Sequence, residues 1–388
     1  MEEAVKLKQE LERTKTELGI LYEISNAMRT TLKLEEILYI ILTGVTAHIG
    51  LGLNRAILFL VNEKESLIEG KLAIGPETGE EAGRIWTQIE QEKMDLEDLI
   101  NAYKNGNNVG ESGLSQQVRS LKFPLQDNTS ENLLALIAQE GMPLHLTGEA
   151  IEKYRNAPII RLLNSGEIVF IPLKAKDRVN GIIVADNFIT HEPITKDDVR
   201  MLTMLANQAG LAIENSQLYE KTVIRAHTDP LTELWNHGHF HYLLQSELEK
   251  TKATKMPLSL VMLDIDDFKI YNDALGHQAG DKLLKELASL LKNQSRKMDY
   301  VCRYGGEEFT IILPEAGKKE AFLIAERIRE DIKNHHFTHE EILPTKQLTV
   351  SIGVATFPED GHAPSELILC SDKALYQAKH KGKNSTCC

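Results

Sequence analysis

Cysteine is scarce in this chain: four in 388 residues, with none before Cys302. A disulfide framework is therefore excluded, and so is a bilin attached through a cysteine thioether upstream of Cys302. Long apolar runs are also missing. None approaches the ~18–20 residues that a membrane helix requires. The opening Met1-Glu2-Glu3-Ala4-Val5-Lys6 has no apolar core of the signal-peptide kind. Positive charge is in deficit, with 44 Lys and Arg against 57 Asp and Glu and a formal net charge of −13. That balance argues against general nucleic-acid or anionic-membrane binding, yet leaves room for a local basic pocket. The expected setting is the cytoplasm. A hydrophobic fraction of 42% and a charged fraction of 26% are ordinary for a globular protein. The length suggests two or three domains, each able to bury a core.

Leu7, Leu11, Thr14, Leu18, Leu21, Ser25 and Met28 recur at alternating spacings of four and three among Glu, Lys and Arg. This gives one apolar seam on a charged helix, either a short coiled coil or a helix lying on its own domain. Helical pattern continues from Leu34 to Gly50. Two strand-like runs follow, Arg55 to Val61 and Leu67 to Ile74, joined by the polar turn Asn62 to Ser66. Strand signals return only at Ile168 to Leu173 and Val179 to Ala185. The stretch between, Gly75 to Gly166, is mostly helical in pattern, with polar breaks at 105–108 and 126–130. Its lone His145 is more often a structural residue than a haem ligand. Val199, Leu202, Ala206, Ala209, Ile213, Ser216, Glu220 and Val223 resume three-and-four spacing. The small residues among them, Ala206, Ala209 and Ser216, suit close packing, between subunits or as the final helix of their own domain, or both in succession along one helix. Gly and Ser are scarce before Thr228-Asp229-Pro230, so the connection is expected to be stiff.

Beyond Asp229, strands are expected near Leu258 to Leu263, Val301 to Arg303, Phe309 to Leu313 and Leu348 to Thr356. Helices are expected near Phe240 to Lys250, Asp281 to Lys292, Lys319 to Lys333 and Pro364 to Lys379. The segment ending in Cys387-Cys388 is expected to fray. Gly305-Gly306 has the composition of a tight hairpin turn, where glycine permits positive φ and leaves no Cβ in a ligand's way. If that hairpin lies beside the strand ending at Asp264, then Asp264, Glu307 and Glu308 converge at one sheet edge. Clustered carboxylates repel unless a hard cation neutralises them, and Mg²⁺ bound with phosphates is the usual solution. The plainer alternative is a turn with solvated acids and an aspartate capping the next helix.

Asp229-Pro230-Leu231-Thr232, the run from Asp264 to Asp273, Gly276-His277 with Gly280-Asp281, Gly305-Gly306-Glu307-Glu308-Phe309, and Ala374-Leu375-Tyr376 with Ala378-Lys379 occur in that order. Together they closely resemble GGDEF-domain diguanylate cyclases. The pattern of two strands, a long insertion, two strands and a closing helix, with Ile171-Pro172-Leu173-Lys174 and Asn180-Gly181-Ile182-Ile183-Val184 followed by Phe188, resembles a GAF sensory domain. The implied fold is α+β. An amphipathic or coiled-coil helix (1–30) would precede a GAF-like sensory domain with a helical insertion (31–215). A connecting helix (216–228) would lead to a palm-like GGDEF domain (229–388) with a sheet of mixed direction.

The resemblance implies condensation of two GTP molecules to cyclic di-GMP with loss of two pyrophosphates, in a homodimer. It implies Mg²⁺, or Mn²⁺ in its place, held by Asp264, the Ile265 carbonyl and Glu307, with Glu308 assisting. Glu307 is the candidate to take the 3′-hydroxyl proton. Lys269, Lys379 and Lys383 match positive positions near the triphosphate, and Gly305 and Gly306 form the turn the substrate approaches. Asn272 and Asp281 match the guanine readers. A carboxylate accepts from two donors on guanine that adenine lacks, although Asp281 could instead cap a helix starting at Lys282. Arg296, Asp299 and Arg327 match a product-inhibition site for cyclic di-GMP, while Arg296 and Asp299 alone could be a helical i, i+3 ion pair. A small-molecule or protein signal would act at the GAF domain, and neither nucleic acid nor membrane is an expected partner. Two other readings remain: a silent receptor for cyclic di-GMP, and a mixed-product cyclic dinucleotide synthase. Glu233 stands where the family usually has glycine, and His237-Gly238 where it usually has an arginine pair. Lys383 stands where arginine is commoner.

Overall fold

The computed structural model describes residues 2–47, 50–105, 113–127 and 131–388, with side chains at 12, 15, 16 and from 18 onward. The chain divides into two compact units, 1–220 and 221–388. Among the described residues, no helix is long and apolar enough to cross a membrane.

The first unit begins with α1 (Glu2–Arg29) and α2 (Leu34–Thr46), followed by β1 (Arg55–Asn62) and β2 (Leu67–Ile74). The insertion holds α3 (Gly79–Glu92), α4 (Leu96–Lys104), α5 (Gly113–Arg119), β3 (Lys122–Pro124), α6 (Leu133–Glu140), β4 (Leu144–Thr147), α7 (Glu149–Lys153) and α8 (Pro158–Leu163). Then come β5 (Glu167–Ala175), β6 (Arg178–Asp186) and α9 (Lys196–His227). The strands form one antiparallel sheet in the order β3-β2-β1-β6-β5-β4. Strand periodicity sorts its two faces. Ala56 and Leu58 of β1 and Ile183 and Ala185 of β6 enter a core with α1, α2 and α9. Ile57, Phe59, Ile182 and Val184 enter a second core with α5, α6 and α8.

The insertion thus covers one face of the sheet and supplies both edge strands. The sequence expectation of a helical insertion missed β3 and β4, because three- and four-residue strands carry no readable alternation. His145 lies on β4 and pairs with Glu167 at 2.8 Å, a surface contact across the edge. Arg55 and Asp186 form a buried pair, with Arg55 Nη2 also donating to the Leu163 carbonyl and its guanidinium over the Phe188 ring. The Arg55 fork meets both Asp186 oxygens, at 2.9 and 2.6 Å.

Leu21, Ile24 and Met28 bury the C-terminal part of α1 on its own unit, while Leu18 is exposed. The side chains of Leu7, Leu11 and Thr14 in the expected seam lie outside those described. On α9, Leu202, Ala206, Ala209, Ile213 and Ser216 pack into the first unit's core, so that part is the domain's own helix. A Cβ at Gly210 would lie 2.2 Å from the Lys174 carbonyl oxygen, an approach that only glycine allows. Beyond Ser216 this burial ends, and Glu220 is exposed.

The second unit holds α10 (His237–Thr254), β7 (Leu258–Ile265), α11 (Phe268–Leu275), α12 (His277–Gln294), β8 (Tyr300–Arg303), β9 (Glu308–Pro314), α13 (Lys318–Asn334), β10 (Val350–Phe357), α14 (Pro364–His380) and β11 (Thr386–Cys387). The sheet order is β11-β10-β7-β9-β8. All pairs are antiparallel except β10 with β11, giving the mixed sheet expected. Val261, Leu263 and Ile265 face α11, α12 and α13. Leu258 and Leu260 face α10 and α14. Cys302 is buried, which pushes its thiol up to about 12. The expected fraying of the C-terminus is not what forms: Ser385 accepts from Ile352 N, and Thr386-Cys387 pair with β10. Neither α11 nor β11 was legible, since both are set by contacts rather than by period.

Glu233 adopts φ 58°, the left-handed conformation that makes glycine the easier residue there. Non-glycine residues pay about 1–2 kcal/mol for it, partly offset by glycine's greater loss of chain entropy. Glu233→Gly is expected to raise unfolding stability by about 0.5–1 kcal/mol, as read by urea denaturation of the second unit's transition.

Candidate active site

The acidic run after β7 serves three separate purposes. Strand alternation puts Asp264 on the α14 face of the sheet, with Leu260. Directly across the ladder stands Glu308, the first residue of β9. Opposed like charges on one face destabilise a strand pair, and Lys379 of α14 reaches in to contact Asp264 Oδ2 at 2.8 Å. Asp266 is buried and fully engaged. It accepts from Thr349 Oγ1, Ser351 Oγ and Asn384 N, while its own N–H donates to Thr349 O. Asp267, at φ 59°, precedes α11 without capping it through its side chain and pairs with Lys383 at 2.6 Å. That bond is the main reason the Lys383 ammonium is held above its ordinary value.

The turn 304–307 joins β8 to β9, and Ile265 N donates to Glu307 O at 3.4 Å. Neither Gly305 nor Gly306 uses the positive φ that glycine permits. Their lack of a side chain matters in another way. A Cβ on Gly305 would come 2.6 Å from Glu308 Oε2, and Gly306 faces open space. Burial pushes the Asp264 carboxyl up, Lys379 pulls it back, and the charges of Glu308 and Asp266 push it further. Burial likewise raises Glu307, followed by the charge of Asp264, with Lys379 opposing and Glu308 adding. One ammonium does not balance this group. A hard cation held by oxygen donors fits the donor set, and crowded carboxylates beside a backbone carbonyl are the ligands such an ion takes. Among the described residues no three His, Cys, Asp or Glu side chains form a ready metal cage. A cleft of about 430 Å³ opens beside Glu308 and Lys379, lined also by Asp372, Lys373, Tyr376 and Gln377.

Asn272 lies part-buried within α11, and its Oδ1 is buried without a hydrogen-bond partner. A Cβ on Gly280 would sit 1.9 Å from that oxygen, so glycine makes room for the amide next to Asp281. Asp281 lies inside α12, which starts at His277, so it is no helix cap. Lys269 is exposed on α11. Arg296 and Asp299 sit in a turn after α12 rather than on a helix. Arg296 N donates to Asp299 Oδ2 at 2.7 Å, and its Nε meets Oδ1 at 3.2 Å. Arg327 Nη2 donates to the Gln294 carbonyl, which brings it to the start of the same turn.

Sequence reasoning missed one connection. Arg303 Nη1 pairs with Asp229 at 3.0 and 3.1 Å, while its Nε and Nη2 donate to the Gly306 carbonyl. Burial alone would raise Asp229, but Thr232 and Arg303 outweigh it and hold the carboxyl below its ordinary value. The only signal was an acid in one motif and an arginine beside another, too far apart in sequence to be paired by spacing. Histidines also gather where α9 meets α10. His227 stacks on His239, His237 meets His241, and the Tyr304 ring stands edge-on to His237.

Residues 33–213 match the family model of the GAF domain, and residues 226–385 match that described as "Diguanylate cyclase, GGDEF domain". The chain therefore carries a GAF domain followed by a GGDEF domain. Diguanylate cyclase A of Treponema denticola is 35% identical over 219 residues, 55% of this chain and 57% of that protein. Response regulator PleD of Caulobacter vibrioides is 39% identical over 236 residues, 60% of this chain and 50% of that protein. The chain thus spans about half the length of these curated relatives. Among solved structures, the GGDEF domain of DgcB from Caulobacter crescentus in complex with c-di-GMP is 30% identical, covering 42% of this chain and 92% of that one, with a TM-score of 0.38. The active GGEEF domain of a diguanylate cyclase from Vibrio cholerae is 32% identical, covering 39% and 95%, with a TM-score of 0.36.

The raised Glu307 carboxyl has a consequence for stability. A raised folded-state value means folding favours the protonated form. That advantage is full below the unfolded carboxyl range and is lost as pH rises through the folded value. Glu307→Gln is uncharged throughout, so without divalent metal it is expected to melt a few degrees above wild type at neutral pH. The gap should narrow as pH falls through the carboxylate range, as read by melting curves in a chelating buffer.

Proposed function

We propose that this chain is a dimeric diguanylate cyclase that condenses two GTP into cyclic di-GMP and two pyrophosphates. The observation that carries this reading is the opposed Asp264–Glu308 pair, with Glu307 beside it and Lys379 over it. Asp264, the Ile265 carbonyl and Glu307 would hold Mg²⁺ or Mn²⁺, with Glu308 alongside. Bound there, the ion would supply positive charge for the triphosphate and acidify the 3′-hydroxyl. Glu307, held above its ordinary value, is suited to accept that hydroxyl's proton. Lys379 and Lys383 exchange Asp264 and Asp267 for phosphate oxygens, and Lys269 adds charge from α11. Gly305 and Gly306 leave space for the phosphates to approach the backbone. Asn272 and Asp281 read the guanine edge, and the unpartnered Asn272 oxygen supports that role, since a buried acceptor without a donor is rare. Each half-site holds one GTP, so two copies must face one another for the 3′-hydroxyl of each nucleotide to reach the other's α-phosphate.

Arg296, Asp299 and Arg327 form the product-inhibition site in this reading. The Asp299 side chain is 2% exposed, fixed by the Arg296 backbone, while the Arg296 side chain is 39% exposed and able to turn toward a ligand. The GAF domain supplies control through a small-molecule or protein signal, conveyed along 216–228.

The test is incubation of the purified protein with Mg²⁺ and GTP, ATP or both, with products resolved by mass spectrometry. Cyclic di-GMP is expected from GTP alone, with Glu307→Gln lowering turnover by about 10²–10⁴-fold. No product, together with tight cyclic di-GMP binding that depends on Arg296, would replace this reading with the receptor. Arg296→Ala is expected to weaken cyclic di-GMP binding by roughly ten- to a hundredfold, the size of a lost charged hydrogen bond. Progress curves of this variant should stay linear to higher product concentration than those of wild type.

A further inference from the structure

Asn236 caps α10 by accepting from His239 N at 2.9 Å, which starts the helix at His237. His237 and His241 therefore stand one turn apart on one helix face. Both are exposed, and their Nε2 atoms are 3.1 Å apart. In this arrangement one ring donates and the other accepts. Imidazoles at i and i+4 are also a recurring way for a helix to grip a transition metal. Two nitrogens bound side by side to one ion at ~2.0–2.1 Å lie roughly 3.0–3.4 Å apart. The pair already has that separation.

We propose that His237 and His241 form a binding site for a divalent transition-metal ion of the zinc class, beside the Gly305–Gly306 turn. Imidazole nitrogen is a preferred donor for Zn²⁺, Cu²⁺ and Ni²⁺ and a poor one for Mg²⁺. The site is therefore chemically distinct from the carboxylate group at Asp264 and Glu307. Binding needs the donating ring to move its proton from Nε2 to Nδ1, a tautomer change with no net charge.

Among the described residues no third His, Cys, Asp or Glu completes a cage around the pair. The remaining positions belong to water, and the ion would exchange freely rather than act as a structural staple. Space for those waters lies in a cleft of about 370 Å³ lined by His237, Asn236, Asp229, Arg303, Tyr304 and the two glycines. The Tyr304 ring, 4.6 Å from that of His237, links the site to the turn. An ion here would place positive charge against the backbone of the signature hairpin.

The test uses the full chain, with Zn²⁺ titrated in competition with a chromophoric chelator. Wild type is compared with His237→Gln, His241→Gln and, as an exposed control, His336→Gln. Circular dichroism confirms that each is folded. The tightest Zn²⁺ site is expected to weaken on the order of tenfold or more in each of the first two variants, and to be unchanged in the control. Cu²⁺ bound at one equivalent should show nitrogen hyperfine splitting in its electron paramagnetic resonance spectrum that either variant reduces. Equal Zn²⁺ affinity in wild type, His237→Gln and His241→Gln would overturn the assignment.

Discussion

Two like charges set opposite each other on one sheet face shape the whole second unit. Asp264 and Glu308 are paired by the β7–β9 register, so neither strand can slip by one residue without turning its own acid to the other face. Much of the surrounding structure holds this unfavourable arrangement in place. Asp266 ties the end of β7 to β10 and to Asn384 with four hydrogen bonds. Arg329 in turn holds Asn384 Oδ1 at 2.7 Å. These contacts hold the returning chain beside β10, where Thr386-Cys387 pair with it. A framework of neutral donors around one buried carboxylate thus keeps two others close and undercompensated, the kind of group that a hard divalent cation neutralises.

The turn that completes the group is governed from the beginning of the unit. Asn236 donates to the Ala226 and Thr228 carbonyls, and its N–H donates to His227 O, so the end of α9 and the start of α10 are fastened together. Asp229, three residues along from Ala226, grips Arg303, and Arg303 grips the Gly306 carbonyl. Charge-assisted bonds thus join Asp229, just past the end of α9, through one guanidinium to the signature hairpin.

The parts of the fold that were legible in the sequence have their own period or punctuation. Strands β7, β9 and β10 showed as apolar runs, and the Gly305-Gly306 hairpin as a turn. Asp264 and Glu308 could be brought together from those signals alone. The unreadable parts depend on contacts between distant segments. Strands β3, β4 and β11 are two to four residues long and exist because an adjacent edge is there to pair with. The Arg303–Asp229 bond and the engagement of Asp266 likewise have no local signature. The glycines of the hairpin were free to take positive φ, and they do not. They are small because Glu308 folds back against one and open space faces the other, a requirement of the site rather than of the backbone.

Two departures from the family pattern fall in the same connection, and the structure gives them different weight. Glu233 occupies a left-handed position in the turn after Asp229, a local cost that disturbs no bond to Arg303. His237 is more consequential, because it stands in the cleft with Arg303 and Gly306. An arginine at that position would add permanent charge, whereas His237-Gly238 supplies one imidazole and no permanent charge beside the hairpin. The substitution thus leaves the carboxylate group intact while altering the connection that reaches it.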